Sequence, residues 1–272
     1  MTTTSLDFRS RFGFHSAPFT REFAIPQRFA LDVFEESLTA LLRAVEQRSS
    51  AALVAPAGTG KTALLRALIA RLPEARYRVH YVKVACLSKR DMCREIAAAC
   101  GAQSAGTYPM LVRRLQERFE TATAQDGMRQ VLILDEAHDL RPEVLDMLRI
   151  LTNFDMDSRL VLSVVLAGQP ALGAMLRRET HEAIARRLSH IAHLRLLTRE
   201  ESQRYIAHRC SIAGATTLPF DAAALDALFE LALGNLRATD QLAGKALEIA
   251  HDAGVTVVDA NHIVQARRVL FS

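Results

Sequence analysis

Short runs of apolar residues alternate with helical hydrophobic patterns along the first two-thirds of the chain. The runs are rich in leucine and β-branched residues, as in strands that are buried on both faces of a parallel sheet. Between them, residues 63–72 and 142–154 repeat their apolar positions at helical spacing. The runs that we interpret as strands are 51–55, 79–85, 130–135, 160–167 and 191–197. This alternation predicts a doubly wound α/β domain with a parallel sheet.

After residue 197 the strand pattern ends, and glycines separate a series of helical patterns. Thr198 and Glu201 form a capping box that predicts the start of the first of these helices. We therefore expect an α/β domain over residues 30–197 and a small all-helical domain over residues 198–272. Residues 1–29 are irregular and rich in phenylalanine, and we expect this aromatic arm to pack on the core of the protein, with partner binding as the alternative. Its rings are Phe8, Phe12, Phe14, Phe19, Phe23 and Phe29.

Composition narrows the class of protein without identifying it. The chain has 272 residues, half of them apolar, and a formal net charge of +4, which permits nucleic acid as a partner but does not argue for it. It shows neither a secretory signal nor an apolar run long enough to span a membrane. The four cysteines lack the spacing of a zinc site, and we expect Cys93 and Cys100 to be buried thiols on one helix face. A cytoplasmic protein without a membrane partner is the expectation.

The segment APAGTGKTALL, residues 55–65, predicts a phosphate-binding loop. It follows a predicted strand and opens a predicted helix, which is the context that this motif requires. Glycine lets backbone N–H groups turn toward phosphates, and the helix N-terminus adds its positive end. Lys61 is predicted to reach the β- and γ-phosphate oxygens, and the Thr62 hydroxyl to bind Mg²⁺. Ala55 replaces the usual first glycine, but it precedes the cradle and should be tolerated. The predicted nucleotide-binding residues are Ala57, Gly58, Thr59, Gly60, Lys61, Thr62 and Ala63.

A second motif, VLILDEAH at 131–138, places two carboxylates at the end of an apolar strand. Parallel strands end at one edge of the sheet, so Asp135 should face the magnesium site. We expect Asp135 to hold the metal through water and Glu136 to polarise the attacking water. Together the two motifs predict a nucleoside triphosphatase.

Five motifs follow one another in an order and spacing that resembles the AAA+ ATPases: the phosphate loop, LDEAH (134–138), VVLAGQP (164–170), ARRL (185–188) and GNLR (234–237). More narrowly, FGFHSAPF at 12–19 and LAGQP at 166–170 resemble the ExeA-type group. The resemblance implies ATP as the nucleotide and a phosphate-loop AAA+ domain followed by a small helical lid.

The same resemblance implies roles for residues outside the two motifs. Gln169 matches the first sensor, which contacts the γ-phosphate or positions water, although AAA+ proteins more often have Asn, Ser or Thr there. Arg237 matches the arginine of the lid that closes on the phosphates. Arg186 and Arg187 match the arginine finger, which acts on a neighbouring subunit and so implies a ring or helical homo-oligomer. Arg187 is the favoured finger, with Arg177 and Arg178 as the fallback pair.

The ExeA-type group contains secretion ATPases and similar transposition helpers, akin to the TnsC, TniB, IstB and MuB proteins. The secretion form carries a transmembrane segment and a peptidoglycan-binding region, which we do not find after the lid helices, so we expect the helper form. It implies an oligomer on duplex DNA that recruits or stimulates a transposase. Lys83, Lys89 and Arg90 are the predicted phosphate contacts, and Ser88 is expected to cap the helix that carries Lys89 and Arg90. Contacts to phosphate carry no base information, so we expect binding without sequence specificity. A secretion-type ATPase that acts on proteins and a nucleotide-switched scaffold remain the alternatives.

Overall fold

The computed structural model describes residues 8–271 and divides the chain into two compact units. The α/β unit comprises Leu31–Pro56 and Lys61–Leu194. The helical unit comprises the residues up to Ala30, the short segment Ala57–Gly60 and the residues from Arg195 onward. The middle of the phosphate loop, Ala57–Gly60, thus belongs to the helical unit, although the residues on both sides of it in the sequence belong to the α/β unit.

The α/β unit is built on a parallel sheet in the order β2-β3-β4-β1-β5. The fold class predicted from the alternating pattern is therefore confirmed. The strands are β1 (Ser50–Val54), β2 (Tyr77–Lys83), β3 (Arg129–Asp135), β4 (Leu162–Gly168) and β5 (Leu188–His193). The α-helices of this unit are α2 (Asp32–Glu46), α3 (Lys61–Arg71), α4 (Lys89–Ala99), α5 (Tyr108–Gln125), α6 (Pro142–Leu151), α7 (Pro170–Leu176) and α8 (Glu182–Ala185).

The strand order brings three strand ends together at one edge of the sheet. In the register of the ladder, Asp135 lies beside Ala167, and Val54 lies beside Gly168. β3 and β4 are buried along almost their whole length, which explains their uninterrupted apolar sequence. The central strands thus form a rigid support from which the loops after β1, β3 and β4 project together.

Helices α4, α5 and α6 bury their apolar faces in one core cluster with the sheet. Phe119 of α5 is fully buried there, as are Met92 of α4 and Leu148 of α6. Ser88 caps α4, since its hydroxyl accepts a hydrogen bond from the backbone N–H of Asp91 at 3.2 Å. This confirms the predicted cap and fixes where the basic first turn of α4 begins.

The helical unit contains α1 (Arg9–Phe12), α9 (Arg199–Ile212), α10 (Ala222–Ala232), α11 (Leu236–Asp252) and α12 (Ala260–Phe271). The predicted capping box of α9 is confirmed: the Thr198 hydroxyl accepts from the backbone of Glu201, and the Glu201 carboxylate accepts from the backbone of Thr198. A two-pronged ion pair from Arg195 also engages Glu201 and, as the largest cause, lowers the pKa of this carboxyl to about 2.

The aromatic arm, as far as it falls within the described residues, packs against helices of the helical unit. Phe29 lies edge-on to Tyr205, and Phe19 lies edge-on to Phe220. The buried guanidinium of Arg209 donates to the backbone carbonyl of Pro18 at 2.7 Å. The surface that these rings cover is therefore that of α9 and its neighbours. The first seven residues assigned to the arm lie outside the described residues.

The cysteines differ sharply in their surroundings. Cys93, Cys100 and Cys210 are buried, as predicted for the first two, whereas Cys86 is exposed. Burial raises the pKa of each buried thiol to about 12. These three thiols behave as small apolar side chains of the core.

Candidate nucleotide site

The phosphate loop, residues 55–62, begins as a continuation of strand β1. Ala55 is fully buried, and its backbone N–H donates to the carbonyl of Gly168 at 2.9 Å, so this residue still belongs to the β1–β4 ladder. The methyl group of Ala55 therefore lies in the core and not in the loop that follows. The chain then turns through Gly58 and Gly60, whose φ angles of 78° and 94° lie in the region that favours glycine. Helix α3 begins at Lys61.

Within the helical unit, Asn235 holds the middle of the phosphate loop. Its side-chain amide donates to the carbonyl of Ala57 at 2.7 Å, while its carbonyl oxygen caps α11 by accepting from Ala238. A Cβ atom on Gly58 would stand 2.3 Å from that oxygen, so the close approach requires glycine. The backbone N–H of Arg237 donates to the carbonyl of Gly58 at 3.2 Å. The first turn of α11 thus contacts the loop through two residues of the GNLR motif.

Lys61, Asp135 and Glu136 form an ionic cluster at the edge of the sheet. The Lys61 Nζ lies 2.7 Å from Asp135 Oδ1 and 2.8 Å from Glu136 Oε1. Lys61 and Asp135 are buried, with side-chain exposures of 8% and 4%. One ammonium group faces two carboxylates, of which Asp135 is buried and Glu136 is partly exposed at 29%. The excess carboxylate suits the binding of a divalent cation, and the ammonium suits a phosphate oxygen.

Two further groups orient Asp135. Its Oδ2 accepts a hydrogen bond from the Tyr81 hydroxyl at 3.0 Å, and its Oδ1 accepts one from the backbone N–H of Glu136 at 2.8 Å. Desolvation, together with the charge of Asp135, raises the pKa of Tyr81 to about 12. Tyr81 therefore stays a hydrogen-bond donor at every physiological pH and fixes the carboxylate of Asp135.

Glu136 adopts the left-handed conformation, with φ 58° and ψ 35°, immediately after the strand ends. A non-glycine residue in this region carries strain that functional sites often retain. The turn leads into a short 3₁₀ helix, Ala137–Asp139, which brings the His138 ring to Gln169. The His138 Nε2 lies 2.8 Å from the side-chain amide of Gln169, and its Nδ1 lies 3.5 Å from Glu136 Oε2.

These residues fit a nucleotide with Mg²⁺. Thr62 is exposed at the start of α3, next to Lys61, so its hydroxyl is free of the core and able to bind a hard cation. Asp135 supplies a carboxylate that Tyr81 already orients. Thr62 and Asp135 would hold the metal, Lys61 would bind phosphate, and Ala57, Thr59 and Ala63 would frame the glycines. Within residues 8–271, no cluster of His, Cys, Asp or Glu offers a separate metal site.

The candidate finger arginines are each held by a carboxylate of their own unit or lie exposed. Arg187 forms an ion pair with Asp157, in a loop where Asp155, Met156 and Asp157 all have positive φ. Arg186 pairs with Glu182 at 2.6 Å one helical turn away and is largely exposed. Arg177 and Arg178 are exposed after α7. Arg187 could act on a neighbouring subunit only after leaving Asp157.

The candidate DNA contacts lie on β2 and the first turn of α4. Lys83, Lys89 and Arg90 are all exposed. The Lys89 ammonium stands 4.8 Å above the Tyr108 ring, and the Arg90 guanidinium donates to the carbonyl of Gly106 at 3.3 Å. The backbone N–H of Lys89 already donates to the Glu143 carboxylate at 3.3 Å. The backbone N–H of Lys89 is therefore occupied by a carboxylate, whereas the side chains of Lys89 and Arg90 are exposed.

Sequence reasoning missed Tyr81, His138 and Asn235. Tyr81 follows the alternation of an ordinary strand, and only the β2–β3 register places it near Asp135. Asn235 carried a signal, since an Asn before a helix predicts a cap, but its contact with Ala57 is tertiary. His138 lies inside the LDEAH motif without any spacing that marks its contact with Gln169.

The fold is that of the phosphate-loop AAA+ proteins. Residues 43–176 match the protein family described as "AAA domain". The chain is also 33% identical over 208 residues to "General secretion pathway protein A" of Aeromonas hydrophila, an ExeA-type relative. That match covers 74% of this chain and only 37% of the relative, so the chain spans little more than a third of the length of that protein.

Solved structures support the fold alone. The ORC1 protein of Aeropyrum pernix in complex with DNA matches with a TM-score of 0.71 and 21% identity, over 94% of this chain and 70% of that one. The RuvB Holliday junction branch migration motor of Thermotoga maritima matches with a TM-score of 0.62 and 19% identity, over 93% and 73% of the two chains. Within residues 8–271, no helix is both long and apolar enough to cross a bilayer.

Proposed function

We propose that this chain is a Mg²⁺-dependent ATPase of the AAA+ type. The observation that carries the proposal is the cluster of Lys61, Asp135 and Glu136 at the C-terminal edge of the sheet, in which the Lys61 ammonium lies within 2.8 Å of both carboxylates. Lys61 follows the glycine turn of the phosphate loop directly in the chain, where a triphosphate is best stabilised.

Each residue of the cluster has a separate role in the proposed reaction. Lys61 binds the β- and γ-phosphate oxygens, and Thr62 and Asp135 hold the metal. When bound, Mg²⁺ draws charge from the phosphate oxygens as the terminal bond breaks. Glu136, which is less buried than Asp135, polarises the attacking water. Arg237, whose backbone N–H donates to the carbonyl of Gly58, would add a positive charge to the bound triphosphate.

ATP binding and phosphate release by purified variants test this proposal. Lys61→Ala should lose most of its affinity for ATP, whereas Glu136→Gln should bind ATP normally and release phosphate about a hundredfold more slowly. The exposed ion pair Lys245–Glu248 supplies matched controls, because Lys245→Ala and Glu248→Gln remove the same groups away from the site. Unchanged ATP affinity in Lys61→Ala, or normal turnover in Glu136→Gln, would contradict the assignment.

We further propose that ATP-bound copies assemble on duplex DNA and regulate transposition by recruiting a transposase, in the cytoplasm. Exposed Lys83, Lys89 and Arg90 support a surface for phosphates. Two proteins of similar fold are associated with DNA: the ORC1 structure is a complex with DNA, and RuvB is a Holliday junction branch migration motor. Their similarity to this chain is one of fold. Arg187 would complete the site of a neighbouring copy in such an assembly.

Fluorescence anisotropy with random-sequence duplex DNA tests this second step. Binding should be tight with ATP or a non-hydrolysable analogue, weak with ADP, and weaker at higher salt. The variant Lys89→Ala with Arg90→Ala should lower the slope of affinity against salt by about one unit for each phosphate that the protein no longer neutralises. Arg113→Ala is the matched control, because Arg113 pairs with Glu117 on the neighbouring helix α5. Absence of DNA binding in every nucleotide state would refute the DNA proposal.

The similarity to the Aeromonas hydrophila protein supports one alternative function. Its name describes a secretion pathway, and 33% identity over 208 residues brings this chain closer to it in sequence than to the DNA-associated structures. On this proposal the ATPase acts on protein partners of the cell envelope. ATP hydrolysis without any DNA binding would support it, whereas ATP-dependent assembly with negligible hydrolysis would point to a nucleotide-switched scaffold.

A further inference from the structure

His138 lies between two residues of the proposed catalytic site. One ring nitrogen, Nε2, lies 2.8 Å from the side-chain nitrogen of Gln169. The other, Nδ1, accepts a hydrogen bond from the backbone N–H of Gln169 at 3.4 Å and lies 3.5 Å from Glu136 Oε2. The His138 side chain is only 15% exposed, so these contacts are largely shielded from water.

The backbone is shaped to bring this ring to the end of β4. The left-handed turn at Glu136 reverses the chain after β3, and the buried Ala137 anchors the short helix that carries His138. Gly168 ends β4 directly before Gln169. A Cβ on Gly168 would stand 3.0 Å from the backbone nitrogen of His138, so a larger residue would push the two segments apart. The approach of His138 to Gln169 is therefore built into the fold.

The backbone N–H of Gln169 donates to His138 Nδ1 at 3.4 Å, so Nδ1 is the acceptor and, in neutral imidazole, the proton resides on Nε2. Nε2–H then donates to the side-chain amide of Gln169 at 2.8 Å, through the amide oxygen, which exchanges places with the amide nitrogen when the group turns by half a rotation. This tautomer satisfies the backbone and the side chain of Gln169 at once.

We propose that His138 is a positioning residue that holds Gln169 in place beside Glu136, an inference that rests on the proposed ATPase function. Its Nδ1 accepts from the Gln169 backbone, and its Nε2–H engages the Gln169 amide, which fixes the direction of the amide N–H groups. The same ring lies against the carboxylate that polarises water, since its Nδ1 is 3.5 Å from Glu136 Oε2. The group that senses phosphate thus keeps a constant geometry relative to the general base.

Positioning differs from binding in the kinetic constants that it changes. The polar contacts of His138 run to Gln169, Glu136 and Asp139 rather than to Lys61, so its removal should spare ATP affinity. We expect His138→Ala to lower kcat by about 10- to 100-fold, as for the loss of other orienting partners, and to change the Kd for ATP by less than about threefold. His138→Gln, which can still offer a carbonyl oxygen to the Gln169 backbone N–H and an N–H to the Gln169 amide, should recover part of kcat.

The experiment measures phosphate release and the binding of a fluorescent ATP analogue for the wild type, His138→Ala, His138→Gln, Gln169→Ala and the His138→Ala/Gln169→Ala double variant. His190→Ala is the matched control, since His190 lies exposed on β5 away from these contacts. Because His138 acts through Gln169, the double variant should be no more than about threefold slower than the slower single variant. Thermal melting of each variant shows that the fold is retained.

Three results would overturn the proposal: normal kcat in His138→Ala, a loss of ATP affinity as large as the loss of kcat, or fully additive losses in the double variant. If His138→Ala fails to fold, His138→Gln and the double-variant comparison built on it carry the same test. A wild-type chain that binds ATP but does not hydrolyse it would refute the ATPase function itself. A hydrolysing wild type with an unaffected His138→Ala would refute only the role of His138.

Discussion

Replacing Gly234 with alanine places a methyl group where the helical unit has no room for one. A Cβ at this position would lie 2.1 Å from the carbonyl oxygen of Leu197 and 2.8 Å from its nitrogen. Both atoms belong to backbone, and Leu197 also donates its N–H to the Gly234 carbonyl at 3.0 Å, so neither side can yield cheaply. Gly234 also has φ +74°, which alanine adopts only with strain.

The magnitude follows from three contributions. The left-handed conformation costs alanine about 1 kcal/mol, forced overpacking about 1–3 kcal/mol, and the displaced hydrogen bond about 1 kcal/mol. Gly254→Ala provides the control, because Gly254 has a similar φ of +78° but nothing within 4 Å of its Cβ position. That variant should lose only the first contribution, about 1 kcal/mol.

Thermal unfolding followed by circular dichroism, with limited proteolysis of the helical unit, measures the difference. Gly234→Ala should be less stable than Gly254→Ala by about 2–4 kcal/mol, which for a unit of this size lowers Tm by roughly 10–20 °C. Equal loss of stability in the two variants would refute the reasoning, because backbone strain would then account for the whole effect and the contact with Leu197 for none of it.

Three other predictions concern the catalytic and capping groups. Arg187→Ala should bind ATP but not hydrolyse it. Mixing it with Lys61→Ala subunits should restore phosphate release, because one variant supplies an intact Arg187 and the other an intact phosphate loop. No restoration would argue against action across an interface. The pKa of Glu201 is lowered to about 2, so its contribution to stability is complete above about pH 4.5 and disappears as the pH falls toward 2. In Glu201→Gln, the melting temperature should therefore fall less between pH 4.5 and pH 2 than in the wild type. The same fall in both proteins would contradict this prediction. Tyr81→Phe should reduce Mg²⁺-dependent phosphate release several-fold while leaving Tm nearly unchanged, because Asp135 loses its hydroxyl partner; equal activity at every Mg²⁺ concentration would argue against it.

The central strands were predictable because their environment is uniform. β3 was expected at 130–135 and lies at Arg129–Asp135, since a strand buried on both faces reads as an unbroken apolar run. β5 was expected at 191–197 but lies at Leu188–His193. It is an edge strand, and most of its residues are exposed, so the polar residues Ser189 and His190 gave its beginning no apolar signal. Leu196 and Leu197, which the prediction included, lie in the helical unit instead.

The candidate site was predictable where covalent spacing determines geometry. Lys61 and Thr62 follow a glycine turn, and Asp135 ends a strand, so the motif alone brings them to one edge of the sheet. The contact of His138 with Gln169 joins segments 31 residues apart and depends on strand order, which no local pattern encodes. The ion pair of Arg187 with Asp157 has the same origin.

The uneven burial of the cysteines makes the chain selectively reactive toward thiol reagents. Cys86 is exposed, just ahead of the basic first turn of α4. The thiols of Cys93, Cys100 and Cys210 are buried, and burial raises the pKa of each to about 12, so they stay protonated at neutral pH. A maleimide dye at neutral pH should therefore attach at one position of the unmodified sequence. Its fluorescence would report directly on whatever approaches Lys89 and Arg90, with no cysteine removed or added.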